Sequence, residues 1–126
     1  MNSAELLHKF FEAENKRDWE TYKQLLHPQV EWYLYGETHR QFTGIEQYTD
    51  TIAKFYEQTD IRFSCKKMIV SHDGSRIVTH LINDAGESSI DIFDFKDSLI
   101  YREYEFIMGK IQDSEHMAVM RSVCKG

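Results

Sequence analysis

The sequence has little cysteine, no basic stripe and no long apolar run, and each shortage removes a class of protein. Its two cysteines, Cys65 and Cys124, lie far apart and belong to no metal-ligand spacing, so free thiols in a reducing compartment are expected rather than a disulfide. Lys and Arg number 15 against 21 Asp and Glu. The densest basic group, Arg62 with Lys66 and Lys67, is too small for a nucleic-acid footprint. No apolar stretch reaches the length of a signal peptide or a membrane span, and Asn2, Glu5 and His8 interrupt the start. A cytoplasmic protein with no nucleic-acid and no membrane partner is the expectation. Gly36, Gly44, Gly74 and Gly86 are isolated, so no glycine loop cradles a phosphate ahead of a helix. No serine sits in a nucleophile elbow. His27 with His39 lacks a third ligand and His72-Asp73 reads as a turn, so neither a metal site nor an organic cofactor is expected.

What is present suits one folded domain. The chain has 126 residues, 41% of them hydrophobic and 13% aromatic, enough for one core and too few for two. Asn2 with Glu5 forms a capping box, and Leu6, Leu7, Phe10, Phe11 and Glu14 recur at three- and four-residue spacing, which predicts a helix over 3–16. Asp18 caps a second helix bearing Trp19, Tyr22, Leu25 and Leu26, which Pro28 stops. Alternation from Val30 to Tyr35 predicts a strand with Val30, Trp32 and Leu34 on one face. A polar loop, Gly36 to Phe42, precedes a third helix capped by Thr43 with Glu46 and ending near Gln58.

After Asp60 the pattern is sheet: about 61–71, 76–83, 88–95 and 99–108, with short polar links that force antiparallel neighbours. The tail from Gly109 is read as an added edge strand carrying Met117, Val119, Met120 and Val123. The fold class is α+β, with three helices on one face of a sheet too long to stay flat. Periodicity points Phe10, Trp19, Trp32, Phe55, Phe93 and Phe95 inward, either to line a pocket or to fill a core.

The order helix, helix, "LLHPQVEW", polar loop, "FTGIEQYTDTIAKFY", then a meander containing "IDIFDF", resembles the superfamily of nuclear transport factor 2, ketosteroid isomerase and SnoaL-like polyketide cyclases. The likeness spans about Glu5 to Met108. It implies a cone-shaped fold with a bent sheet, an open-ended pocket for a small hydrophobic molecule, and homodimers formed through the outer sheet face. Ketosteroid isomerase sets an Asp base against an oxyanion hole built from a Tyr and a protonated Asp. Registration of "FFEAENKRDW" puts the oxyanion tyrosine at Phe10, which has no hydroxyl, and the base at Leu34, which accepts no proton. Only the buried acid survives, at Asp91.

Asp91 shares a strand face with Phe93 and Phe95, where desolvation would favour the neutral acid as a hydrogen-bond donor; on a wet face it would instead pair with a sheet neighbour. His80, on the face of Val78 and Ile82, is a candidate general base. Glu103 and Glu105 share one face of the last strand, turned inward by the resemblance. Beside Asp91 they would repel unless one keeps a proton or a cation intervenes. A one-residue slip would reverse these faces. The catalytic candidates are therefore Asp91, His80 and Glu103, and the ligand-binding candidates Phe10, Trp19, Trp32, Leu34, Phe55, Phe93, Phe95 and Glu105. Tyr33, Tyr35, His39 and Arg40 border the presumed mouth, while Tyr22, Tyr48 and Tyr56 read as helix packing with wet hydroxyls. Two functions remain open. One is an enzyme acting on a hydrophobic carbonyl compound; the other is a non-catalytic ligand- or protein-binding homodimer with Ile90, Ile92, Tyr104 and Phe106 on its interface.

Overall fold

A computed structural model describes residues 1–110. In chain order the elements are α1 (Ser3–Lys16), α2 (Trp19–Gln24), β1 (Leu26–Tyr35), β2 (His39–Thr43), α3 (Ile45–Phe55), β3 (Phe63–Val70), β4 (Arg76–Asn83), β5 (Glu87–Lys96) and β6 (Leu99–Lys110). The strands form one curved, unclosed sheet in the order β2-β1-β6-β5-β4-β3, and the helices pack against it. The β3-β4-β5-β6 meander is antiparallel throughout, as the short links require. Residues 117–123, expected as an edge strand, lie outside the described residues. Among those described, no helix is long and apolar enough to cross a membrane.

Local chemistry sets the helix ends. Asn2 accepts from the Glu5 N–H at 2.9 Å and donates its own N–H to the Glu5 carboxylate, closing the predicted capping box. At the other end Arg17 adopts a left-handed conformation, φ 59°. Its guanidinium then reaches the carbonyls of Thr59 and Ile61 at 3.0 and 2.7 Å while lying over the Tyr56 ring. Asn15 acts as a strand partner in miniature, donating to the Phe63 carbonyl at 2.8 Å and accepting from the Phe63 N–H at 3.0 Å. These bonds fix where β3 begins relative to α1.

Four local expectations need correction. The second helix stops at Gln24, not at Pro28. Leu25 is already tied to β6 by the Ile100 N–H, at 2.9 Å, so strand pairing captures the segment before another helical turn forms. Pro28 falls in β1 where the ladder to β6 is interrupted between Leu26 and Glu31, so its missing N–H breaks no regular pairing there. The stretch read as a polar loop contains β2, an edge strand paired to β1 from Glu31–Thr43 to Tyr35–His39. Its residues are exposed except Phe42, so no alternation betrayed it. Finally, α3 is capped at Gly44, φ 88°, with no side-chain bond, and it ends at Phe55; the Thr43 N–H is taken instead by the Gln47 side chain at 2.8 Å.

The core lies between helices and sheet. Leu7, Phe10, Val30, Ile77, Phe93 and Ile100 are fully buried there, and truncating any of the large ones to Ala would cost on the order of 3 kcal/mol. Alternation is kept on β4 and β5, where Ile77, Thr79 and Leu81, and Asp91 and Phe93, turn inward; on β6 a register shift between Ile100 and Arg102 lets Ile100 and Glu103, three residues apart, both turn inward. The register that the sequence left open is therefore the one that buries the acids.

Candidate functional site

A cavity of about 760 Å³ opens between α1, α2, α3 and the concave side of the sheet. Phe10, Phe11, Tyr22, Trp32, Phe42, Tyr48 and Phe93 form aromatic walls, and Leu34, Ile52 and Leu81 add aliphatic surface. Phe55, Arg40 and Lys54, all exposed, also border it and stand at its mouth. Into this apolar chamber project the carboxyls of Glu14, Asp91, Glu103 and Glu105.

The three sheet acids form one group. Asp91 pairs across the ladder with Glu105, and Glu103 with Phe93, so alternation on neighbouring strands stacks the carboxyls side by side. One oxygen from each lies within 4.8 Å of the others. Asp91 and Glu103 are only 2% and 6% exposed. Burial raises all three pKa values, those of Glu103 and Glu105 far above the usual range; the charge of Asp91 adds to the effect at Glu103 and Glu105, while hydrogen bonds from Glu103 and Ser89 partly oppose it at Asp91. The neutral acid is thus favoured, and protons are shared across the group. Ser89 donates to Asp91 at 2.5 Å, Tyr48 donates to Glu103, and the Trp32 indole donates to Glu105 at 3.1 Å. Three hard oxygen donors at such spacing could also hold a divalent cation.

Glu14 approaches from the helical wall. Its two carboxylate oxygens accept from Tyr22 at 3.0 Å and Tyr56 at 2.6 Å. Desolvation pushes its pKa up to about 7, partly opposed by these phenols and by Arg17. Tyr22 and Tyr48 are buried at 1% exposure each. Their hydroxyls are inside the site, not at a wet rim as the sequence suggested, and burial beside the acids raises both phenol pKa values. Sequence reading placed Glu14 on the apolar stripe of α1 and passed over it. An acid four residues beyond Phe10 on that stripe was the available signal.

Of the predicted site residues, Phe10, Trp32, Leu34, Asp91, Phe93, Glu103 and Glu105 meet at the cavity, and Phe55 reaches its rim with 66% exposure, not inward-facing. Three do not reach it. His80 alternates with buried Thr79 and Leu81 and faces away. Trp19 packs on Tyr22 and Tyr56 beside a separate shallow depression bordered by Arg17, Asp50 and Lys54. Phe95 lies two residues beyond Phe93 on β5, beside a bulge that leaves Tyr101 of β6 unpaired, and it packs half-buried against the core outside the cavity lining. At the presumed mouth only Arg40 borders the cavity. Tyr33 stacks on Tyr104, and Tyr35 stacks on both Phe106 and His39.

Comparison with known proteins agrees with this geometry. The model of the SnoaL-like domain matches residues 7–103. The chain belongs to the SnoaL-like domain family. Among solved structures it is similar to a SnoaL-like protein of unknown function from Burkholderia thailandensis, TM-score 0.74 at 15% identity over 85% of this chain and 94% of that one. It is similar also to a provisionally named ketosteroid isomerase from Kribbella flavida, TM-score 0.70 at 19% identity over 88% and 81%. A protein of cystatin-like fold from Methylobium petroleophilum gives TM-score 0.75 at 10% identity over 89% and 79%. Identities this low carry the fold alone, the cone shared by the family and its nuclear transport factor 2-like relatives. No curated protein matches the sequence.

Proposed function

We propose that the protein binds a small hydrophobic carbonyl compound in this cavity and acts on it as a ketosteroid isomerase-like enzyme. The observation that supports this best is the set of buried carboxyls on the sheet, Asp91 and Glu103 foremost, which desolvation biases toward the neutral form inside an aromatic chamber. A neutral carboxyl there donates a hydrogen bond to a ligand oxygen, and it would strengthen as negative charge develops on that oxygen. Apolar walls supply most of the affinity, and the few polar groups orient the ligand. The cytoplasmic setting and the single-domain organisation belong to the same proposal.

The test is a fluorescence titration of Trp32 with 2-naphthol and 2-tetralone, bicyclic ligands that each present one oxygen. Micromolar quenching is expected, weakened about tenfold in Asp91→Ala through loss of the ligand's hydrogen bond. Affinity and turnover unchanged in Asp91→Ala would overturn the role of Asp91.

A second reading rests on the outer face. There Tyr33–Tyr104 and Tyr35–Phe106 lie in parallel stacks with centroids 5.1 and 4.8 Å apart, beside half-buried Ile90 and Ile92. An aromatic face of this kind suits a homodimer interface. With Phe10 and Leu34 unable to serve the isomerase roles assigned by registration, a non-catalytic binding homodimer is the alternative function.

A further inference from the structure

The proposed chemistry needs a group that removes a proton beside the carbonyl, and registration with the isomerases puts Leu34 where that group would stand. From the cavity geometry we infer that Glu14 is the proton acceptor, with Tyr22 and Tyr56 as positioning residues that hold its carboxylate toward the ligand. This rests on the carbonyl reading above.

Three features single out Glu14. It lines the same cavity as Asp91 and Glu103 but comes from α1, apart from the crowded group of sheet acids. Its oxygens each accept one phenol hydrogen bond, from Tyr22 of α2 and from Tyr56 at the end of α3. A carboxylate offers about four lone-pair directions, so each oxygen keeps one for a ligand proton. Among the described residues every hydrogen bond to it is donated by a phenol, and no ion pair locks the carboxylate in its ionised form.

The step balances within the site. The C–H bond beside the ligand carbonyl breaks and its proton passes to a Glu14 oxygen. The electron pair moves into the new C=C bond, and charge gathers on the carbonyl oxygen, which accepts from a protonated sheet carboxyl. Return of the proton from Glu14 to carbon closes the cycle with no oxidant or metal consumed. The titratable and charged groups that interact with Glu14 are Tyr22, Tyr48, Tyr56, Arg17, Asp91 and Glu105, and burial foremost raises its pKa to about 7, suited to an acceptor that must also give the proton back.

The experiment is hydrogen–deuterium exchange at the benzylic α-carbon of 2-tetralone in deuterated water, followed by proton NMR, with binding of 2-tetralone measured in parallel. Exchange by the wild-type protein is expected to rise through a single transition near neutrality. Glu14→Gln should bind 2-tetralone within about threefold of wild type and lose on the order of 100-fold in exchange. Tyr56→Phe, which removes one donor, should move the transition upward by about one pH unit. A merely structural Glu14 would leave that profile in place. Binding with no wild-type exchange, or exchange undiminished in Glu14→Gln, overturns the Glu14 assignment and leaves the binding reading standing. Failure of 2-tetralone to bind overturns both.

Discussion

Phe10 and Tyr22 lie face to face in the cavity wall, ring centroids 4.0 Å apart and planes 20° from parallel. Position 10 supplies the ring and position 22 the hydroxyl, which points to Glu14 at 3.0 Å. A hydroxyl absent from one helix is thus provided by the next, and the donor is turned toward an acid on the helical wall.

Tyr22→Phe keeps the stack and removes only the hydroxyl, so its effect should depend on the charge of Glu14. At pH 8, where Glu14 is ionised, the lost charge-assisted bond should destabilise the protein by about 1.5 kcal/mol. At pH 5 the loss should be smaller, because the protonated acid needs less stabilisation. Urea unfolding at the two pH values checks this; equal losses would mean that Glu14 does not change charge between them.

The raised carboxyl pKa values also fix the sign of the overall pH dependence. In the native state Glu14 holds its proton to about 7, against a reference of 4.5 when unfolded. Between those values the native state binds more protons than the unfolded one, so stability falls as pH rises. Glu14 alone would contribute roughly 3 kcal/mol to this fall, and Asp91, Glu103 and Glu105 act in the same direction. Asp73 and Asp18, whose pKa values are lowered by hydrogen bonds, act oppositely, but only below the ordinary carboxyl range. Melting temperature should therefore be highest near pH 5 and decline toward pH 8, with a shallower decline in Glu14→Gln. A melting temperature that rises from pH 5 to 8 would contradict the buried-acid geometry.

Much of this architecture is legible in the residues. Alternation grouped Asp91 with Phe93 and Glu103 with Glu105, while the inward direction of the two glutamates came from the family resemblance, since alternation alone leaves a one-residue slip open; the structure places both groups on the cavity side. Capping by Asn2 and Asp18 located two helix starts to the residue. What stayed hidden depends on tertiary neighbours. The parallel pairing of β1 with β6 joins segments about 70 residues apart and leaves no local mark. β2 has polar residues on both faces, because an exposed edge strand buries almost nothing. His80 is the opposite case: its strand and face were read correctly, and that face turns away from the cavity. The tyrosine hydroxyls were misplaced because helical spacing fixes the direction of a ring but not what waits at its far end.

Glu103 gives a test that separates stability from binding. Its carboxyl sits among Asp91, Glu105 and Tyr48 at 6% exposure. Glu103→Gln keeps an acceptor for Tyr48 and removes one ionisable member of a crowded, buried acid group whose raised pKa lowers stability at high pH. At pH 8 the variant should gain on the order of 1 kcal/mol, while at pH 5, nearer the ordinary carboxyl range of the unfolded chain, it should gain less. Affinity for 2-naphthol should nevertheless fall, since an amide is a weaker donor to a ligand oxygen than a carboxylic acid. Calorimetric melting with a parallel binding titration gives both numbers. Loss of stability at pH 8 would show that the fold needs the Glu103 carboxyl rather than tolerating it.

The outer face carries the last prediction. Ile90, Ile92, Tyr104 and Phe106 share the side of the sheet away from the cavity, and Phe106 is 38% exposed. A charge placed among them meets water in a monomer but is desolvated in a face-to-face dimer, at a cost of several kcal/mol unless paired. Sedimentation of the wild-type protein is expected to give a species of two chains, and Ile92→Glu a species of one, with thermal stability of the isolated fold and 2-tetralone affinity retained. Because Ile92 faces away from Asp91 on the same strand, loss of ligand binding in that variant would mean that the cavity depends on the partner subunit for its shape. A wild-type monomer would remove the dimer reading and leave the stacked Tyr33–Tyr104 and Tyr35–Phe106 pairs as stabilisers of the β1–β6 ladder.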